Sequence, residues 1–132
     1  MKAVAYIRVS KPDQVDGYSL DSQERTFRDL CHSRGWEPGK IYREEGKTAH
    51  VDSINKRPSF RQLLGDAGKN QFDVVVVHTL DRWARNTRIA LESLGNLAKN
   101  NVSLVSITEN IDYSTAQGRL MTTMLAGFAE YF

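Results

Sequence analysis

The sequence predicts an α/β fold: a parallel-rich central sheet of about four to five strands flanked by helices, followed by a long apolar helix cut off at the end. Three observations predict it. The chain opens on a nearly continuous apolar run, Val4 to Val9, and later carries Val74-Val75-Val76-Val77. Between and after these runs lie segments with apolar residues at helical spacing, so strands and helices alternate. Alternation of this kind makes parallel strands joined by right-handed crossovers. At 132 residues the chain is one domain, long enough to bury a core.

Met1 to Val9 is the first expected strand, rich in β-formers and apolar on both faces. Arg8 and then Ser10 stand at its exit, before Lys11-Pro12. After turn residues Ser10 to Tyr18, Ser19 or Asp21 can cap a helix that runs to about Arg34. Asp21 and Glu24 have capping-box spacing, Leu20, Phe27, Leu30 and Cys31 form its inward face, and Gly35 ends it. A weaker strand is expected over Lys40 to Glu44, then a polar, mobile loop from Glu45 to Arg57. Pro58 suits a first helical turn, and Phe60, Leu63, Leu64 and Ala67 follow at the spacing of one helix face.

Phe72 to Leu80, holding the four valines, is the strongest strand signal and a central one. Thr87 to Lys99 is the next helix, with Ala90, Leu91, Leu94, Leu97 and Ala98 inward, and Val102 to Ile107 the next strand. From Leu120 to Ala129 there is no charged residue, and Leu120, Met121, Met124, Leu125, Phe128 and Tyr131 spread around most of a helix. A helix apolar on nearly every side needs cover on nearly every side, so one face is expected on the sheet and the other on a partner.

Composition excludes several classes. The single cysteine, Cys31, rules out an internal disulfide and a multi-cysteine metal site, and its place on an apolar helix face makes it a core thiol. The opening strand is too short for a signal peptide. The Leu120 to Ala129 stretch is about half the length of a membrane span. A soluble, cytoplasmic protein with no membrane partner is expected. A net charge of +2 says little about nucleic acid, but the cations themselves say more. Eleven of the eighteen are arginines, and Arg8, Arg57, Arg82, Arg85 and Arg119 fall at expected element boundaries. Arginine stays charged and binds phosphate through two parallel hydrogen bonds.

If the valine strand is parallel to the first, its exit, Leu80-Asp81-Arg82-Trp83-Ala84-Arg85-Asn86, lies at the same sheet edge as Arg8 and Ser10, where parallel sheets bind ligands. A serine among arginines does not suit Ser-His-Asp hydrolysis, because pattern places none of His32, His50 or His78 beside it. It does suit attack on a phosphodiester, whose transition state spreads negative charge over oxygens that fixed cations stabilise. No phosphate-binding glycine loop and no closely spaced carboxylate pair for two metals is present.

The motifs Tyr6-x-Arg8-Val9-Ser10, Ser19-Leu20-Asp21-x-Gln23, Arg57-Pro58 and Leu80-Asp81-Arg82-x-x-Arg85-Asn86, in this order, resemble the N-terminal catalytic domain of serine recombinases, the resolvase and invertase family. The resemblance runs from about Lys2 to Tyr131. The long interval between Ser10 and Gln23, and Gly118-Arg119 before the last helix, look more like the large serine recombinases (integrases) and related transposases.

The resemblance implies a site-specific DNA recombinase, acting in recombination, integration or transposition on double-stranded DNA. Ser10 would attack a DNA phosphate, giving a 5′-phosphoserine link and a free 3′-hydroxyl. Arg8, Arg82 and Arg85 would clamp the scissile phosphate, and Arg57 would reach it from the mobile loop. Asp81 would orient an arginine or move a proton, and Gln23 and Gln14 would help position these groups. Tyr6 belongs to the first motif as a supporting residue. Glu45 and Thr48 match an acidic-x-x-hydroxyl pattern in which aspartate and serine are common. No metal, ATP or other cofactor is implied, because the phosphoserine keeps the phosphodiester bond energy.

Residues 1–118 would form the catalytic domain and 119–132 the start of a long oligomerisation helix, through which Met121, Met124, Leu125 and Phe128 join dimers and tetramers for strand exchange. Phe132 stands where a glutamate is frequent. The family's DNA-binding domain has no counterpart in the sequence, which reads as an isolated catalytic domain.

Two other readings of the residues remain at this point. A metal-dependent phosphotransfer or topoisomerase-type α/β domain would hold magnesium on Asp81, Glu109 and Asp112. A non-catalytic dimerisation or regulatory module would use the strand-end charges only for salt bridges.

Overall fold

The computed structural model describes residues 1–8, 20–44, 57–79, 83, 87–108, 111–112, 115, 117–118, 120–121 and 124. In chain order the elements are β1 (Lys2–Arg8), α1 (Leu20–Arg34), β2 (Glu37–Glu44), α2 (Pro58–Ala67), β3 (Val74–Val77), α3 (Thr87–Lys99), β4 (Ser103–Ser106) and β5 (Ile111–Asp112). The strands form one sheet in the order β2-β1-β3-β4-β5. The first four are parallel, and the short β5 runs antiparallel to β4 at the edge. The expected parallel α/β sheet is therefore present.

Each face of the sheet is covered by apolar helix residues. On one face Ala3, Ala5, Ile7, Val74, Val76 and Val105 meet Phe27 and Cys31 of α1. On the other, Val4, Tyr6, Tyr42, Val75, Val77 and Leu104 meet Phe60, Leu63 and Ala67 of α2 and Leu94 and Leu97 of α3. The Cys31 thiol is fully buried and burial pushes its pKa up, as a core thiol requires.

Helix ends follow local chemistry. At the end of α1, Gly35 takes φ +72°, its N–H bonds the His32 carbonyl and the Trp36 N–H bonds the Cys31 carbonyl. This is the paired closure that favours glycine. Asn101, φ 59°, closes α3 in the same way, with Asn101 N–H on the Ala98 carbonyl and Val102 N–H on the Leu97 carbonyl.

Four expectations need correction. Asp21 lies inside the first turn of α1, where its charge suits the helix dipole, and is not the cap. Glu24, its expected capping partner, pairs with Arg43 of β2 instead. The strand β2 begins at Glu37, earlier than Lys40, and β3 stops at Val77, leaving His78 just beyond it. Arg57 is no mobile-loop residue: it is the N-cap position of α2 and fully buried.

One irregularity aligns the two strands that build the site. Lys2 and Ala3 of β1 pair with Glu37 and Pro38, but Ala5 pairs with Ile41, so β2 carries one extra residue. Gly39 sits at this bulge, where a Cβ would come within 3.1 Å of the Ala3 carbonyl oxygen. An added residue switches every later side chain to the other face. Past the bulge Tyr42 pairs with Tyr6 and Glu44 with Arg8, so all four share the α2 face.

Near the end of the chain Gln117, Gly118, Leu120, Met121 and Met124 are helical. Leu120, Met121 and Met124 are 63%, 54% and 56% exposed. Leu125, Phe128 and Tyr131 lie outside the described residues. Among the described residues, no helix is long and apolar enough to cross a membrane.

Candidate active site

The connection from β1 to β2 passes through α1 on one face, whereas α2 and α3 cover the other, so the chain reverses its side between β1 and β3. Outside the carboxyl ends of the strands at such a reversal lies the crevice where α/β sheets bind ligands. Pairing of β1 with β3 ends at Tyr6 and Val77, while pairing with β2 continues to Arg8 and Glu44. The last turn of β1 thus delivers Tyr6 and Arg8 to this edge on the same face.

Tyr6 is the hub of the described site. Its hydroxyl accepts hydrogen bonds from Arg57 Nε at 3.2 Å and Nη2 at 3.0 Å, and donates to Glu44 Oε1 at 3.1 Å. One donor and two acceptor positions are thereby all used. Burial pushes the Tyr6 phenol well above its ordinary pKa. The Arg57 and Arg8 charges pull the other way, and Glu44 adds to the rise. The phenol stays protonated through neutral pH and keeps donating to Glu44.

Glu44 is 2% exposed and does two things at once. Besides Tyr6 it accepts the backbone N–H of Phe60 at 3.2 Å and, more weakly, that of Ser59 at 3.4 Å. These are the open donors of the first turn of α2, where a carboxylate also meets the positive end of the helix dipole. Arg57, at the N-cap, has no side-chain acceptor to offer them and makes no side-chain cap.

The Arg57 guanidinium turns inward instead. It lies 3.9 Å over the Phe60 ring, 5.3 Å from the Tyr6 ring centre, and its Nη2 also donates to the Trp83 carbonyl at 2.5 Å. Only a planar, multi-donor cation can stack and donate in two directions together. Arg8 is 5% exposed beside it. The buried charged side chains among the described residues are therefore Arg8, Arg57 and Glu44. Arg8 and Arg57 thus place two buried guanidinium groups at this edge, the cation type that binds phosphate through paired hydrogen bonds.

The structure brings Tyr6, Arg8 and Arg57 together as one constellation. Gln23 is 4% exposed in the early part of α1, the helix that follows β1. Ser10, Gln14, Glu45, Thr48, Asp81, Arg82 and Arg85 lie outside the described residues. Asp112 lies in β5, while Asp81 and Glu109, the other expected magnesium ligands, are also outside them.

Sequence reasoning missed Glu44 and Trp83. Glu44 had a signal: in Tyr42-Arg43-Glu44 it alternates onto the face of Tyr42, the inward residue. Trp83 occupied an unspecified position of its motif, and nothing local distinguishes it.

The family model described as "Resolvase, N terminal domain" matches residues 3–132. The probable DNA-invertase y4cG of Sinorhizobium fredii is 30% identical over 129 residues, covering 98% of this chain and 37% of that protein. The Tn917 transposon resolvase of Enterococcus faecalis is 29% identical over 125 residues, covering 95% and 59%. The chain thus spans less than two thirds of either relative. Among solved structures, the N-terminal catalytic domain of TP901-1 integrase superposes with TM-score 0.82 at 31% identity, covering 99% of this chain and 96% of that one. A resolvase family site-specific recombinase from Streptococcus pneumoniae gives TM-score 0.76 at 31% identity, covering 99% and 87%. With its sheet order, its Tyr6-Arg8 strand exit and the family match over residues 3–132, this chain belongs to the resolvase N-terminal domain family of serine recombinases.

Proposed function

We propose that this chain cuts and rejoins double-stranded DNA as a site-specific serine recombinase. The observation that carries the reading is the placement of two buried arginines, Arg8 and Arg57, around Tyr6 at the carboxyl ends of β1 and β2, beside the reversal point of the sheet. Arginine is the cation that recognises phosphate through paired hydrogen bonds, and a DNA phosphate is the anion that family membership suggests.

In this reading the Ser10 hydroxyl oxygen attacks the phosphorus, the bond from phosphorus to the 3′-oxygen breaks, and a 5′-phosphoserine remains. The proton lost by Ser10 and the one gained by the leaving 3′-oxygen balance across the step, with Asp81 moving a proton or orienting an arginine. Arg8, Arg82 and Arg85 stabilise the pentacoordinate phosphorus; Arg57 acts from within, holding Tyr6 and the Trp83 backbone. Gln23 and Gln14 position these groups, and Glu45 and Thr48 support them. The reverse attack by a 3′-hydroxyl reseals the strand without ATP, since the phosphodiester energy is retained.

Residues 1–118 serve as the catalytic domain and 119–132 as the start of an oligomerisation helix. The exposed Met121 and Met124, with Leu125 and Phe128, supply the contact for dimers and tetramers in strand exchange. Exposure of large apolar side chains at Leu120, Met121 and Met124 supports this.

Covalent trapping tests the proposal. The chain, carried on a DNA-binding module of known specificity, is incubated with a nicked suicide duplex in EDTA. A protein–DNA adduct that survives denaturation and disappears in Ser10→Ala is expected. No adduct from a fusion shown to bind and assemble on its site would overturn it, and one that needs divalent cation would overturn the metal-independent route. Arg82→Ala and Arg85→Ala should each abolish the adduct while leaving the fold intact; retained adduct in both would remove the arginine clamp.

A further inference from the structure

Trp83 is anchored in three directions. Its indole Nε1 donates to Ser93 Oγ of α3 at 2.9 Å. Its carbonyl oxygen accepts from Arg57 Nη2. Its ring stands edge-on to Phe60 at 4.6 Å and 67° and to Tyr6 at 5.9 Å and 84°. The residue is 1% exposed. Ring packing alone would fill volume and exclude water, which an aliphatic side chain also does. The indole bond adds what an aliphatic side chain cannot, fixing the rotation of the ring against α3, while the bond to the backbone carbonyl fixes the main chain at the same residue.

Ser93 shows that the indole bond is a built feature. A serine facing the core from mid-helix is otherwise a poor choice, because its hydroxyl turns back onto the helix's own carbonyls. It does so here, donating to Ile89 O at 2.7 Å and lying 3.1 Å from Ala90 O, and it is 3% exposed. The indole N–H is a donor with no acceptor capacity, so a buried tryptophan needs an oxygen at that point. The Ser93 lone pair provides it.

Trp83 follows Arg82 directly and precedes Arg85 by two residues. We infer that Trp83, latched to α3 through Ser93 and to Arg57 through its carbonyl, is a positioning residue that fixes the main chain from which Arg82 and Arg85 reach the phosphate. The inference rests on the phosphodiester-cleavage reading above. Trp83 and Ser93 act through the two arginines and need touch no substrate. A displacement near 1 Å of a positioned group costs up to about a hundredfold in rate. Losing the latch therefore lowers the rate of cleavage at saturating DNA and leaves half-saturation unchanged.

The test measures adduct formation by the full chain, carried on its DNA-binding module, in single turnover over a range of suicide-duplex concentrations. Ser93→Ala and Trp83→Phe should each slow the saturated rate by about tenfold or more, with half-saturation within twofold of wild type by direct measurement. Ser93→Thr, which keeps the hydroxyl, should restore the rate. The double variant should be no slower than the slower single, since both remove one bond. Wild-type rates in Ser93→Ala and Trp83→Phe, multiplicative losses in the double, or failure of threonine to rescue would overturn the latch while leaving nucleophilic cleavage standing. Absence of adduct from wild type would overturn the cleavage reading and the latch with it. Should Ser93→Ala fail to fold, Trp83→Phe, which retains the ring packing, carries the same comparison.

Discussion

Glu44 caps a helix to which it does not belong: its carboxylate accepts the Phe60 N–H at 3.2 Å from the end of β2, the place an N-cap side chain ordinarily fills. The same carboxylate holds the Tyr6 hydroxyl, so the entry of α2 and the exit of β1 share one charge. Glu44→Gln keeps the shape but removes the charge facing Arg57, Arg8 and the helix dipole. It should lower unfolding stability by about 3 kcal/mol, the scale for breaking a buried ionic network. Urea denaturation measures it, and a loss below about 0.5 kcal/mol, the scale of an ordinary surface substitution, would show that the charge is not needed there.

Arg57→Lys is expected to behave as a deletion. A lysine ammonium can reach one of the Tyr6 hydroxyl and the Trp83 carbonyl, yet it cannot stack flat on Phe60 while donating to both. Stability should fall by about 2 kcal/mol for the lost charge-assisted bonds, and adduct formation should fall with it because the Trp83 main chain is released. Tyr6→Phe separates the effects, since it removes the hydroxyl that Arg57 and Glu44 share but leaves the Trp83 carbonyl bond. If Arg57→Lys cleaves as wild type does, the arginine has no part in the site.

Alkaline stability carries the signature of two buried phenols. Burial raises Tyr6, and burial followed by donation to Asp66 Oδ2 at 2.7 Å raises Tyr42. An unfolded tyrosine titrates at about 10. Above that pH the unfolded chain releases protons that the folded chain retains, so stability present below about pH 10 is lost as pH rises. Denaturation midpoints measured from pH 8 to 11 should fall beyond 10. Tyr42→Phe should remove a share of the slope approaching about 1.4 kcal/mol per pH unit. An unchanged slope in that variant would mean that Tyr42 ionises as freely folded as unfolded.

The bulge at Gly39 yields a prediction about register. A Cβ there meets the Ala3 carbonyl oxygen and Lys2 Cε at 3.1 Å, and the first contact is backbone that cannot swing aside. Gly39→Ala should destabilise by about 1 kcal/mol. Deleting the residue should do far more, because it would turn Tyr42 and Glu44 away from Tyr6 and Arg8. A deletion variant that kept wild-type stability would show that β2 can pair without the bulge.

Much of this fold was legible because its signals are local. The four valines name a central strand, Pro58 marks the first residue of α2, and the apolar spacing from Thr87 to Lys99 gives the bounds of α3 as observed. The two-residue strand Ile111–Asp112 was not legible, since so short a run has no period to read. The candidate site divides in the same way. Arg8 at the end of an apolar strand announces itself. Arg57 sits in a charged stretch that reads as surface, and it is buried only because Tyr6, Phe60 and Trp83, distant in sequence, converge around it. Glu44 was half legible: alternation puts it on the face of Tyr42, but that this face meets Tyr6 and Arg8 depends on a bulge that composition does not mark.

Self-association is the last expectation, and it turns on side chains that the fold leaves in water. Leu120, Met121 and Met124 are each more than half exposed on helical backbone, and large apolar side chains clustered on a surface mark a contact site. A charge placed among them would have to be desolvated in any such contact. Met121→Glu and Met124→Glu should therefore shift the chain toward monomer in sedimentation velocity, without lowering its denaturation midpoint. Wild type that sediments as monomer at high concentration would show that these residues alone do not hold two copies together. Variants that associate as wild type does would place the contact on another face.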